Sequence, residues 1–179
     1  DLFFESDLKA EQENLGGFSF ERPFGIPVRY HDFQVLTQRN DFSLVEFHFS
    51  YRDIKLDYTK YLRRSYNYQL AVHCPELFEH DHLLDLTSTS EPYRKQSVKY
   101  VNKTLNLTRQ ISKYFKSKYN PPFIINVGGW STDNFSSEKD CEEKINILKK
   151  SINELDLRDV QIAVQTMPPF PWHFGGQAF

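Results

Sequence analysis

The chain is 179 residues long, with 16 % aromatic side chains and a formal net charge of −2. Length and aromatic content are ample for a buried core and exclude a disordered segment, and the slightly acidic balance argues against generic nucleic-acid binding, which needs a basic face. A mean hydropathy of −0.60 and the lack of any apolar run of roughly 18 residues exclude a membrane-spanning helix.

Residues 1–22 are acidic and polar, carry Gly16-Gly17 and hold no sustained period. They read as a linker or the tail of a preceding domain, closed by Pro23, with residues 23–179 as the folded unit. No basic segment followed by an apolar core opens the chain, so no signal peptide is expected. Five short runs rich in Val, Ile, Phe and Tyr follow, at Ile26–His31, Ser43–Ser50, Tyr68–His73, Pro122–Val127 and Val160–Thr166. They read as strands, because β-branched and aromatic side chains suit a pleated surface and turn residues close several of them.

Helical periods lie between the strands. Weak ones cover Phe33–Gln38 and Tyr58–Arg64. The clearest runs from about Pro92 to Lys118, with Val98, Val101, Leu105, Thr108, Ile111 and Phe115 on one stripe at steps of three and four. The last places Ile145, Leu148, Ile152 and Leu155 on one face, behind the Ser136-Ser137 cap candidates. Strands alternating with helices make a parallel sheet. In the strands, apolar residues such as Leu70, Val72, Phe123 and Ile125 alternate with small or polar ones such as Ala71, His73 and Asn126. A doubly wound sheet buries both faces, whereas a barrel carries helices outside only. The pattern favours an α/β fold of the parallel (β/α) barrel type with the first five βα units present, because eight units need about 250 residues. An open fifth strand leaves an exposed edge, so a second copy completing the barrel edge is expected.

Polar residues collect at the strand ends, where a parallel barrel builds its active site. His31 follows the first, Glu46 and His48 the second, His73 the third, Asn126 with Gly128-Gly129 the fourth, and Gln165 the fifth. Imidazole and carboxylate on converging strands hold a divalent metal or move a proton beside a sugar carbonyl. Glu46, His48 and His73 are therefore the catalytic candidates. Arg29, His31 and Gln165 are placed to orient hydroxyls or an anionic group. The run Gln165-Thr-Met-Pro-Pro-Phe-Pro-Trp-His-Phe-Gly-Gly-Gln177 adds Trp172 and His173, a flat face and a polar tip of the kind that holds sugars. His80 and His82, flanking Asp81, read as a solvated loop. The sequons at Asn102, Asn106 and Asn134 read as chance. Cys74 and Cys141 form no zinc or redox motif and point to a reducing, cytoplasmic setting. The dinucleotide, P-loop, zincin and serine-hydrolase motifs are all missing from the sequence.

Val72-His-Cys-Pro-Glu76, Asn126-Val-Gly-Gly129 and Ala163-Val-Gln-Thr-Met-Pro168 resemble the xylose isomerase-like barrel superfamily, which includes sugar-phosphate isomerases, epimerases and type-2 apurinic endonucleases. Phe24-Gly-Ile-Pro-Val-Arg-Tyr-His-Asp-Phe33, Val45-Glu-Phe-His-Phe-Ser50 and the Trp172 loop resemble the C-terminal domain joined to some bacterial N-acetylneuraminate (sialic or legionaminic acid) synthase-type proteins. Residues 1–8 then look like the trailing edge of an SAF domain. The resemblance implies a small sugar or sugar-phosphate ligand and a divalent metal (Mn, Co or Zn), with His73 matching a strand-three ligand. Two positions depart from the pattern. Gln165 stands where the superfamily has a metal-binding Glu, and Asn126 stands at its His-Pro-Gly step. These departures keep a second reading open: a non-catalytic sugar-binding or regulatory domain with a degenerate metal site. The charge balance weighs against the nuclease branch.

Overall fold

The computed structural model describes residues 24–39, 42–131 and 136–166. The linker reading of residues 1–22 and the Trp172–His173 loop lie outside the described residues. Five strands form one sheet: β1 (Gly25–Val28), β2 (Leu44–His48), β3 (Gln69–His73), β4 (Pro122–Ile125) and β5 (Gln161–Val164). Three α-helices connect them: α1 (Phe33–Arg39), α2 (Glu91–Ser112) and α3 (Glu138–Ile152). All strand pairs are parallel and their spatial order is the chain order. A doubly wound sheet would reverse direction at a switch point. This one does not. It is the first part of an α/β barrel wall, as the strand faces imply.

The expected elements are present but shorter. β1 stops at Val28, not His31, because the Arg29 N–H donates to the Asp32 carboxylate at 2.6 Å and turns the chain into α1. The helix expected over 58–64 is a single 3₁₀ turn at Tyr58–Lys60, capped by Asp57. α2 ends at Ser112, before Lys118, because Tyr66 draws residues 114–116 into a bridge: its N–H donates to Tyr114 O at 2.7 Å, and Lys116 N–H returns a bond at 2.9 Å.

One face of the sheet is packed. Val45, Phe47, Leu70, Val72, Phe123 and Ile125 are fully buried and share one core with Val98, Val101, Leu105 and Ile111 of the α2 stripe, on which Thr108 is also buried. The aromatic residues fill the β1–β2 end: Tyr30 stacks on Tyr61 at 5.2 Å, and Phe33 meets Tyr66 edge-on at 4.8 Å. On edge strand β5 the expected apolar face is only partly covered among the described residues, and Val164 is 45 % exposed.

α3 departs further from its expected stripe. Ile145 is exposed, and Ser151 is the buried residue of this helix among those described. A capping box between Ser137 and Asp140 starts the helix, and a polar knot holds it down. Arg94, 1 % exposed, grips Glu91 through two parallel bonds of 2.8 and 2.9 Å. It also reaches Glu154 at 2.9 Å and the Ser151 hydroxyl at 2.9 Å, and that hydroxyl donates to Leu86 O at 2.6 Å. Asn102, within a sequon, spends its side chain on Glu154 O and the Asp156 N–H. Bidentate, charge-assisted bonds in a desolvated position are strong, and removing one partner strands the others. Arg94→Met is expected to cost about 3 kcal/mol in urea unfolding at neutral pH; a loss within experimental error would assign the α2–α3 contact to apolar packing instead.

The same knot sets an acid response. Arg94, then Lys150, hold the Glu91 carboxyl down at about 2, and Lys95 with Arg94 lowers Glu154. A carboxyl depressed in the folded state contributes stability above its unfolded value, near 4.3, and loses it as pH falls through the folded one. The unfolding midpoint is therefore expected to drop progressively from about pH 4.5 to about pH 2. That slope should be shallower in Arg94→Met.

Candidate active site

The unpacked face of the sheet carries the chemistry. Register places Glu46 beside Ala71, His48 beside His73, His73 beside Ile124, and Ile124 beside Ala163. Alternation therefore puts Glu46, His48, Ala71, His73, Ile124 and Ala163 on one surface, opposite the core. Gln165 extends that row, because its N–H donates to Ile125 O at 3.0 Å just past β5. Four of the sequence candidates meet directly. His48 Nε2 hydrogen-bonds Glu46 Oε1, the His48 and His73 rings stack with centroids 4.6 Å apart, and His73 Nε2 lies 2.7 Å from Gln165 Oε1. A chain Glu46–His48–His73–Gln165 thus crosses from β2 to β5.

His73 is held in a defined way. Its Nδ1 lies 3.0 Å from Cys74 O, and a carbonyl only accepts, so the proton sits on Nδ1. Gln165 sets its Oε1 against Nε2, so that contact is a hydrogen bond when the ring is an imidazolium donating to Oε1, and the Gln165 NH2 faces away from His73. Cys74 itself takes no part, because burial pushes its thiol well above the ordinary range and keeps it protonated.

The other candidates sit apart from this chain. Arg29 donates to Asp53 Oδ2 at 3.3 Å, and the same oxygen accepts from the Ser50 N–H and hydroxyl, each at 2.7 Å. The Arg29 side chain is 44 % exposed, which leaves much of its guanidinium open to solvent at the rim. His31 lies beyond β1, 73 % exposed, with Asp32 at 3.7 Å. It is not brought to the cluster. His82 is not solvated as its loop position suggested: its ring stacks on Tyr93 at 4.1 Å and its Nε2 meets the Ser97 hydroxyl at 2.8 Å, and burial lowers its basicity.

Three polar residues gain a place that sequence reading did not give them. Asp53 is one. Asp85 is another: its Oδ1 accepts from the Thr87 N–H, the Thr87 hydroxyl and the Gly129 N–H at 2.8, 2.7 and 3.2 Å. It ties the β3–α2 loop to the turn after β4. The Asp85-x-Thr87 spacing is the signal for such a local turn. Glu76 is the third, accepting from the Asn126 side-chain amide. Asn126 is 2 % exposed, and its Oδ1 has no partner among the described residues.

A divalent cation needs three or four lone pairs converging on one point. No group of three or more His, Cys, Asp or Glu among the described residues is arranged to provide that. The two imidazoles stack side by side, both His73 nitrogens face other partners, and position 165 offers a neutral amide. The donor set does not fit the metal that the resemblance implies.

The model of the xylose isomerase-like TIM barrel matches residues 34–179. The chain belongs to that family. Among solved structures, a D-tagatose 3-epimerase-like protein superposes with a TM-score of 0.55 at 15 % identity, over 86 % of this chain and 55 % of that one. The chain thus spans about half the length of that relative, and the likeness is one of fold. No curated protein matches the sequence. Within the described residues no helix is long and apolar enough to cross a membrane.

The turn after β4 makes a test of how this barrel rim is built. Gly128 has φ +93°, and a Cβ there would lie 2.5 Å from Asp85 Oδ1 and 2.6 Å from Asp85 Cα. Gly128→Ala is expected to cost about 1–3 kcal/mol in thermal or urea unfolding, through strain at positive φ and displacement of Asp85. An unchanged midpoint would mean that the Asp85 latch is dispensable.

Proposed function

We propose that this chain forms part of a sugar isomerase/epimerase-like barrel that moves a proton next to a sugar carbonyl. The Glu46–His48–His73–Gln165 chain on the open sheet face carries the reading. It joins a carboxylate to an imidazole that donates to it, and follows them with a second imidazole and an amide able to hold a carbonyl oxygen or hydroxyl. In this reading Glu46 takes the proton from the carbon beside the carbonyl. The C–H bond breaks, a carboxyl O–H forms, and the electron pair moves through the carbonyl to its oxygen, giving an enediolate. Return of the Glu46 proton to the neighbouring carbon, with the hydroxyl proton there passing to the enolate oxygen, gives an isomer; delivery of a proton from water to the opposite face of the first carbon, with the Glu46 proton neutralising the hydroxide left behind, gives an epimer. His48 orients the carboxylate, and the Gln165 NH2, with its amide oxygen set against His73, holds the oxygen on which charge develops. Arg29, part-exposed at the rim, suits the anionic group of a sugar phosphate. From the wording of Phe24–Phe33, Val45–Ser50 and the Trp172 loop, we place this barrel in an N-acetylneuraminate synthase-type protein, where it acts on or binds a sugar or sugar phosphate.

The test is solvent exchange. Incubated with D-fructose, D-tagatose and their phosphates in D2O, the chain should replace the α-carbonyl proton by deuterium, followed by NMR. Glu46→Gln should slow this about 10²- to 10⁴-fold, the usual weight of one positioned base. Absence of exchange with every sugar would refute the catalytic reading, and the departures at Asn126 and Gln165 would then favour a sugar-binding or regulatory domain.

A further inference from the structure

We infer that the ends of β3, β4 and β5 form a metal-free subsite for the hydroxyl groups of a polyol, in which Asn126 Oδ1 is an acceptor reserved for the ligand. The inference rests on the sugar reading above and narrows how the ligand is held. His73, Asn126 and Gln165 occupy successive strand ends. Asn126 stands two residues beyond Ile124, on the face that Ile124 shares with His73 and Ala163, and the bond from Gln165 N to Ile125 O carries the sheet pairing forward to its level.

The orientation of the Asn126 amide follows from its neighbour. Its Nδ2 donates to Glu76, whose carboxylate only accepts, so the NH2 must face Glu76 and the oxygen must face away. That oxygen is buried and without a partner among the described residues. A buried polar atom left unpaired destabilises the fold and calls for a partner; the other such atom among the described residues, the Tyr30 hydroxyl, lies within the aromatic core, whereas Asn126 stands at a strand end. What the oxygen lacks is a donor. A cation would find two neutral amides and one imidazole already engaged at Nδ1, a weak donor set. A polyol hydroxyl both donates and accepts. It can give its proton to Asn126 Oδ1 and take one from the Gln165 NH2.

Erythritol, a four-carbon polyol without a carbonyl, separates binding from turnover, and Co²⁺ reports metal through its visible absorption. In ¹H–¹⁵N spectra of the full chain, erythritol should shift the side-chain amides of Asn126 and Gln165. Asn126→Leu and Gln165→Ala should each weaken its binding about three- to tenfold, the loss of one neutral hydrogen bond. Gln165 is exposed at a strand end, so Gln165→Ala keeps the test readable if Asn126→Leu misfolds. Wild type should leave the Co²⁺ spectrum unchanged, whereas Gln165→Glu, which supplies a charged ligand, should produce a saturable new band. Stoichiometric Co²⁺ binding by wild type, or erythritol binding that neither substitution weakens, would overturn the inference. Missing deuterium exchange with ketoses alongside intact erythritol binding would sink the catalytic reading alone.

Discussion

A parallel strand cannot turn back on its neighbour; it must be reached by a crossover, and here the long helical crossover α2 packs on one face of the sheet. Everything else follows from that one-sidedness. The helix-facing positions of β2, β3 and β4 must be apolar and are buried to within a few per cent. The alternate positions are released from core duty, and they carry Glu46, His48, His73 and Gln165. Because sequential parallel strands keep their C-terminal ends at one level, residues 92 positions apart in the chain, His73 and Gln165, come within hydrogen-bond distance. The site is a by-product of topology before it is anything chemical.

Much of this was legible from the order of residues alone. The α2 stripe could be read because each of its apolar steps falls in the core it shares with the sheet, and the strand faces could be read because a period of two has only two phases. The strand-end candidates on β2, β3 and β5 met because pairing register follows from the same alternation. What could not be read has local causes. His31 looked like a strand end, yet the Asp32 carboxylate captures the Arg29 N–H and closes the strand early. Ile145 looked like part of a buried face, yet Arg94 and its partners fix α3 by polar bonds, so apolar cover there is thin. His82 gave no sign in sequence of the Tyr93 ring it lies against. Such contacts join residues whose spacing obeys no period.

What the sequence resemblance implies and what the site holds differ at two positions. The barrel is shared with the xylose isomerase-like family, but His73, Asn126 and Gln165 make a set of hydrogen-bonding groups with one imidazole and no charge of their own in the neutral state. A fold constrains where functional groups stand and leaves their identity open. Exchanging one carboxylate for its amide changes almost nothing in shape while removing the charge on which cation affinity depends.

The Asp85 latch divides the barrel rim into unequal halves. One carboxylate oxygen joins the loop after β3 to the turn after β4, and Trp130 Nε1 adds a second tie to Leu84 O at 2.9 Å. Those two segments therefore move as one piece. Among the described residues the segment after β1 is tied to the loop after β2 only through Asp53, which Arg29 meets from a part-exposed position, and His31 stands in solvent. Sequence drift after β3 or β4 would have to be matched in a second loop to keep the turn closed, while drift around His31 meets no such demand. New ligand preferences in relatives of this chain should therefore accumulate on the β1 side of the rim, with the His73–Asn126 side inherited nearly unchanged.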